Sequence, residues 1–163
     1  MTNKTYAELK EIIAEFQAKL PVDVEAIAKV LKISTYREHG WPKNLSGKIL
    51  KDRVNGGASG YAIYINADHS PTRQRFTLAH EIAHFIHHRD SIGDGISDDA
   101  LYRSGLSNGQ EIMANTLAAE ILMPTALVNQ QLKEGISSIK ELADIFEVSQ
   151  TAMAIRLGVP SET

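Results

Sequence analysis

The segment from Leu78 to His88 reads LAHEIAHFIHH, which sets four histidines and one glutamate into an otherwise apolar run. A helix that crowds such groups needs partners for them, because a polar or charged group buried alone costs several kcal/mol. Within the run, His80-Glu81-Ile82-Ala83-His84 has the form H-E-x-x-H. Residues i and i+4 stack on one helical face, so the imidazoles of His80 and His84 can approach one ion at Zn–N distances of about 2.0–2.1 Å. Glu81 is turned about 100° from His80. It stands beside such an ion, where it can take a proton from a water.

The other two histidines divide by geometry. His80, His84 and His87 share a face with Arg73, but His80 and His87 are about 10 Å apart along the axis at 1.5 Å per residue. His87 therefore belongs at the rim of a site or behind a ligand. The pair His84 and His88 also has i, i+4 spacing, with Phe85 where a base would stand, and His88 is expected in solvent.

Composition limits what holds the ion. The chain has no cysteine, so a metal would be bound by His, Asp or Glu, and disulfides are excluded. Its 163 residues suit one domain, and a net charge of −3 gives no global basic field for nucleic acid. The start, MTNKTYAELKEIIAEF, alternates charged and apolar residues unlike a signal peptide, and no apolar run is long enough to span a bilayer. A cytoplasmic protein is expected.

Around the central motif the chain reads as mostly helical. Thr5 to Glu8 has capping-box spacing and opens a helix with Leu9, Ile12, Ile13 and Phe16 on one face, stopped near Pro21. Asp23 starts a second, short helix. LSGKILKD and GYAIYIN read as a hairpin across 48–66, with Asn55-Gly56 as the turn because both residues tolerate positive φ. Ser70-Pro71 restarts a helix that runs to about His88. The Gly-, Ser- and Asp-rich stretch 91–109 is a loop with one helical turn around Ala100 to Arg103, and a candidate lid. A helix over 110–123 follows, then a short one from Thr125. In the tail (136–158), Ser138 and Ser149 each cap a helix and Gly158 ends the second.

A catalytic zinc has three protein ligands and one open position. Position 87 is His and position 90 is Asp, so no third histidine follows at the extended H-E-x-x-H-x-x-G-x-x-H spacing. The carboxylates available are Glu111, Glu120 and the loop residues Asp94, Asp98 and Asp99. Glu111 lies on a stripe with Ala114, Asn115, Ala118 and Leu122, whose small residues let another helix approach. Its charge equally suits a helix N-terminus without any metal. Glu120 falls on a different face and reads as a surface residue.

At this point the sequence resembles the ImmA/IrrE metallopeptidases, small bacterial zinc proteases. The resemblance is carried by RFTLAHEIAHFIHH at 75–88 and EIMANTLAAEILMP at 111–124, and covers roughly residues 20 to 158. The tail reads as a helix-turn-helix-like pair, and the length and lack of a linker suit one domain over 1–163 with an N-terminal helix in 1–20; the resemblance implies an α+β, mostly helical, zincin-like fold with a small β-sheet. It implies one Zn2+ per chain on His80, His84 and Glu111 in a gluzincin-like set, with Glu81 as catalytic base and Asn115 behind a ligand. Mn2+ or Fe2+ would also accept these ligands. The implied substrate is a helix-turn-helix transcriptional repressor, whose cleavage relieves repression in a mobile element or a stress response. Longer family members carry a further C-terminal sensor domain; this sequence ends at Thr163 and resembles the minimal form.

Candidates to stabilise an oxyanion are His87, Tyr61, Tyr64, Tyr102 and Arg103. A peptide substrate is expected to lie extended along an edge of the small sheet. Two rival readings are a non-catalytic zinc-binding antirepressor and a DNA-binding regulator acting through the tail. An intact Glu81 argues against the first. The second is disfavoured because the last helix carries one basic residue, Arg156, and phosphate contacts need several.

Overall fold

A computed structural model describes residues 4–93 and 107–159. Most of the expected loop, with Asp94, Asp98, Asp99, Tyr102 and Arg103, lies outside the described residues. The order is α1 (Tyr6–Phe16), α2 (Val24–Val30), β1 (Ser34–Glu38), β2 (Gly47–Lys51), β3 (Tyr61–Asn66), α3 (Pro71–His87), a 3₁₀ turn (Arg89–Ser91), α4 (Asn108–Leu122), α5 (Thr125–Lys133), α6 (Ile139–Phe146) and α7 (Gln150–Leu157). Helices thus dominate one small sheet, an α+β composition.

The helix starts follow local chemistry. Thr5 and Glu8 form the reciprocal capping box, with Thr5 Oγ1 accepting from Glu8 N and the Glu8 carboxylate accepting from Thr5 N. Asp23, Ser70, Ser138 and Ser149 each accept a backbone N–H from the first turn of their helices, and Pro71 occupies the first turn of α3. Helix α1 ends at Phe16, ahead of Pro21. Helix α4 begins at Asn108, two residues before the expected start, because Ser107 and Gln110 make a capping box of their own.

The sheet has three strands in the order β1-β3-β2. β2 and β3 pair antiparallel, with Ile49 opposite Ile63, and this is the expected pair. β1 pairs parallel to β3, with Thr35 opposite Ile63, and no strand is expected there from sequence. STYRE is half-buried to exposed along its length, so it lacks the apolar alternation that marks a strand. Its side chains are held from α2 instead: Glu25 pairs with Arg37 and accepts from Thr35.

The expected turn at Asn55-Gly56 is also corrected. Neither residue has positive φ, and the β2–β3 connection runs over residues 52–60 rather than through a two-residue turn. Asp52 Oδ1 accepts from the N–H of Val54 and of Asn55, and this Asx-type turn reverses the chain before Asn55-Gly56 is reached. Positive φ falls at Gly60, where the chain re-enters β3.

Helix α3 is the centre of the molecule. Every residue from Thr77 to Phe85 is buried, a pattern of burial all round rather than on one stripe. The sheet covers one side and α4 the other, with α1 and α2 in contact as well. Ala114 and Ala118 are fully buried on α4 and let its backbone come close to α3. One hydrophobic cluster extends from Leu9 through Ile63, Ile82 and Ile121 to Leu142, Phe146 and Met153. Arg75 of α3 donates to the carbonyls of Val22, Phe146 and Glu147, so the core helix satisfies the C-terminal end of α6. Glu147 takes the left-handed conformation there, with φ of 51°. No single described helix is long and apolar enough to cross a membrane.

Candidate metal centre

Two crossing elements build the site. Along α3, His80 and His84 stack one turn apart, with ring centroids 4.6 Å apart at a near-perpendicular 89°. Glu111 projects from the first turn of α4. Its Oε2 lies 3.0 Å from His80 Nε2 and its Oε1 lies 3.1 Å from His84 Nε2. The two Nε2 atoms are themselves 3.0 Å apart. Ligand atoms on a tetrahedral ion at about 2.0–2.1 Å would sit about 3.3 Å from one another, so the trio is close to that size. His80, His84 and Glu111 offer one ligand atom each, all within 4.8 Å of each other, and no other described group of His, Asp or Glu gathers this way.

The rings are oriented from behind. His80 Nδ1 is 2.8 Å from Asn115 Oδ1. An amide oxygen only accepts, so His80 Nδ1 donates to it, and the ring turns its Nε2 toward Glu111 and His84. That Nε2 meets the carboxylate oxygens of Glu111 and the second imidazole at one point. Two imidazole nitrogens and a carboxylate converging on one point are a donor set that a divalent cation takes. The residues present therefore fit a divalent metal.

His84 is fully buried, and burial followed by the charge of His80 holds it well below the ordinary histidine range. Its Nδ1 is 3.0 Å from Nδ1 of His88. The expectation that His88 lies in solvent is thus corrected: it is 7% exposed. The helix ends at His87, and the chain turns at His88, whose φ is −129°, leaving its ring one turn beyond His84 on the same face. Burial lowers its pKa as well. The i, i+4 spacing of His84 and His88 was the signal for this contact.

Glu81 is fully buried and points toward β2. Gly47 makes room for it: a methyl group there would lie 3.6 Å from Glu81 Oε1, 2.5 Å from the Thr77 methyl and 2.9 Å from the Tyr64 carbonyl oxygen. Only a residue without Cβ lets β2 settle this close to α3. Sequence reasoning missed Gly47, since a glycine at the start of a strand reads as punctuation.

The remaining candidates are elsewhere. His87 packs its half-buried ring on Tyr6 of α1, with centroids 5.1 Å apart, and burial lowers its pKa. Tyr61 is buried edge-on to Phe85, its hydroxyl 3.5 Å from the Arg89 carbonyl. Tyr64 stacks on Tyr36 and donates to Asp52 Oδ2 at 2.6 Å. Burial and that bond push the Tyr64 phenol up to about 12, while hydrogen bonds from Asn55 and then Tyr64 lower Asp52. The structure does not bring either tyrosine hydroxyl to the trio. Glu120 pairs with Arg156 of α7 on a different face of α4.

Residues 11–158 match the model of the peptidase M78 family, described as the IrrE N-terminal-like domain. The chain is 36% identical over 102 residues to the radiation response metalloprotease IrrE of Deinococcus radiodurans, covering 61% of this chain and 30% of that protein. It is 37% identical over 103 residues to the radiation response metalloprotease IrrE of Deinococcus deserti, covering 60% of this chain and 36% of that protein. The match thus spans about a third of the length of these relatives. Among solved structures, a Mycobacterium tuberculosis transcriptional regulator has a similar fold, with a TM-score of 0.62 at 15% identity over 96% of this chain and 47% of that one.

Proposed function

The chain belongs to the ImmA/IrrE family, and from that membership we propose that it is a metal-dependent endopeptidase whose metal is held by His80, His84 and Glu111 and whose general base is Glu81. The observation that carries this reading is the convergence of His80 Nε2, His84 Nε2 and the Glu111 carboxylate within hydrogen-bonding distance, with His80 Nδ1 turned to an acceptor. Zinc, one ion per chain, is the metal we infer, and manganese or iron would suit the same ligands. Such an ion supplies a Lewis acid and lowers the pKa of a neighbouring water.

The chain's own groups do the rest. Glu81 takes the proton of the attacking water and returns it to the leaving amine. Asn115 and His88 fix the ring orientation of His80 and His84. β2 is an outer strand of the sheet beside Glu81, so an extended peptide added along it would carry its backbone past the base.

The substrate we propose is a helix-turn-helix repressor, whose cleavage in the cytoplasm relieves repression of a mobile element or of stress-response genes. Family membership and the relatives' names as radiation response metalloproteases support it. Residues 1–163 are read as one metallopeptidase domain on the strength of the continuous cluster from Leu9 to Met153. The rival DNA-binding reading of the tail is disfavoured by Arg156: its guanidinium already serves Glu120, Thr125 and the Met123 carbonyl. Co-incubation of zinc-loaded protein with a small helix-turn-helix repressor encoded beside it should give a single cut that a chelator prevents. An intact repressor that is nonetheless released from its operator would favour the antirepressor reading.

A further inference from the structure

The metal-ligating face continues past the metal. Along α3, His84, His80 and Phe76 are spaced by four residues and stack in one row. Along α4, Glu111, Asn115 and Ala119 do the same, and Met123 follows just past the end of the helix. Glu111 meets both histidines and Asn115 meets His80, so the helices run antiparallel and the two rows face each other. Beyond Asn115 the rows enclose a cavity of about 470 Å3, lined by Phe76, Ala119 and Met123 and closed on its third side by Ala152 and Ile155 of α7.

The chemistry of this cavity is apolar. The one charged group in its wall, Arg156, is bound to Glu120 and to the Met123 carbonyl, so it does not invite an anion. Ile155 stands at the cavity 73% exposed, an apolar surface that a ligand could cover. Asn115 joins the two compartments: its Oδ1 holds His80 while its amide N–H groups bond no described residue and can meet a peptide carbonyl.

Distance then gives the register. Ala119 is eight residues from Glu111, about 12 Å along the helix at 1.5 Å per residue. An extended peptide covers about 3.3 Å per residue. We propose that the cavity between α3, α4 and α7 is a specificity subsite that takes a bulky apolar side chain of the substrate three or four residues from the scissile bond. This rests on the peptidase reading and adds a role for the tail: α7 supplies one wall of the substrate site.

The test uses zinc-loaded full-length chain on a library of denatured proteome peptides, with cut sites read by mass spectrometry. Leu, Ile, Met or Phe should be enriched at one position three or four residues from the cut. Ala152→Phe, which fills the cavity from α7, should shift that position to Gly, Ala and Ser while the variant retains its metal. Cleavage with no enrichment there, or with the same enrichment in Ala152→Phe, overturns the subsite and leaves the peptidase reading standing. A second arm does not need activity. Methyl signals of Ala119, Ala152 and Ile155 in the zinc-loaded Glu81→Gln protein should move with acetyl-Ala-Leu-Ala-amide and not with acetyl-Ala-Ala-Ala-amide. If the library is uncut, shifts with the leucine peptide alone show an apolar side-chain site and overturn its place relative to a scissile bond, whereas silence in both arms overturns the site altogether.

Discussion

His88 sets its Nδ1 3.0 Å from Nδ1 of His84, so a candidate metal ligand is held from behind by the residue that ends its own helix. Groups in that position fix ring orientation, and losing one typically lowers metal affinity about 10–100-fold. His88→Ala should therefore bind zinc about 10–100-fold more weakly in competition with a chromogenic chelator, with its helical circular dichroism retained. Unchanged affinity would show that His88 only fills space.

Gly47 makes a second prediction about the same site from the sheet side. A Cβ there meets the Thr77 methyl at 2.5 Å and the backbone of β3 at 2.9 Å, and of these only the methyl can be removed by substitution. Gly47→Ala should cost about 1–3 kcal/mol, the usual range for overpacking a tight contact, measured by urea unfolding. Adding Thr77→Ser should recover part of that loss. A double variant no more stable than Gly47→Ala would mean that the backbone contact alone sets the cost.

Tyr64 offers a pH test away from the metal. Its phenol ordinarily ionises near 10 and is raised to about 12 in the folded chain by burial and the bond to Asp52. The folded state therefore keeps a proton that the unfolded chain gives up. The resulting stabilisation is present below pH 10 and is lost as pH rises through 12. Wild type should lose thermal stability between pH 10 and 12 more steeply than Tyr64→Phe. Parallel curves would show that the folded chain does not raise the Tyr64 phenol.

Arg156 separates a structural tail from a DNA-reading one. Its bonds to the Met123 carbonyl, Thr125 and Glu120 tie α7 to the end of α4. Arg156→Ala should lower stability by about 1–3 kcal/mol, as for loss of charge-assisted bonds that leave partly buried acceptors behind. Wild-type protein without repressor should show no salt-sensitive shift of duplex DNA. A clear shift that Arg156→Ala abolishes would restore the DNA-binding reading.

What could be read from the sequence depended on how local its cause was. The caps at Thr5, Ser70, Ser138 and Ser149 act over three residues, and all four appear where their spacing put them. The juxtaposition of His80 and His84 is a property of one helix, and the structure adds Glu111 at 3.0 and 3.1 Å from another. β1 was invisible because its polar side chains are held by α2 and its partner β3 is distant in sequence. Asn55-Gly56 misled because Asp52 upstream captured the turn first. His88 misled because its burial depends on where the helix stops, which spacing alone does not give.

The most direct measurement is on Glu81, which lies buried beside His80 and next to β2. Glu81→Gln keeps the size and the candidate trio of His80, His84 and Glu111 and removes only the proposed base. On the proposed function, metal analysis of the purified variant should find the same zinc content as wild type, about one per chain, while cleavage of the proposed repressor substrate falls by at least about 100-fold, the lower range for a positioned general base. A variant that holds zinc and still cuts at the wild-type rate would contradict the account.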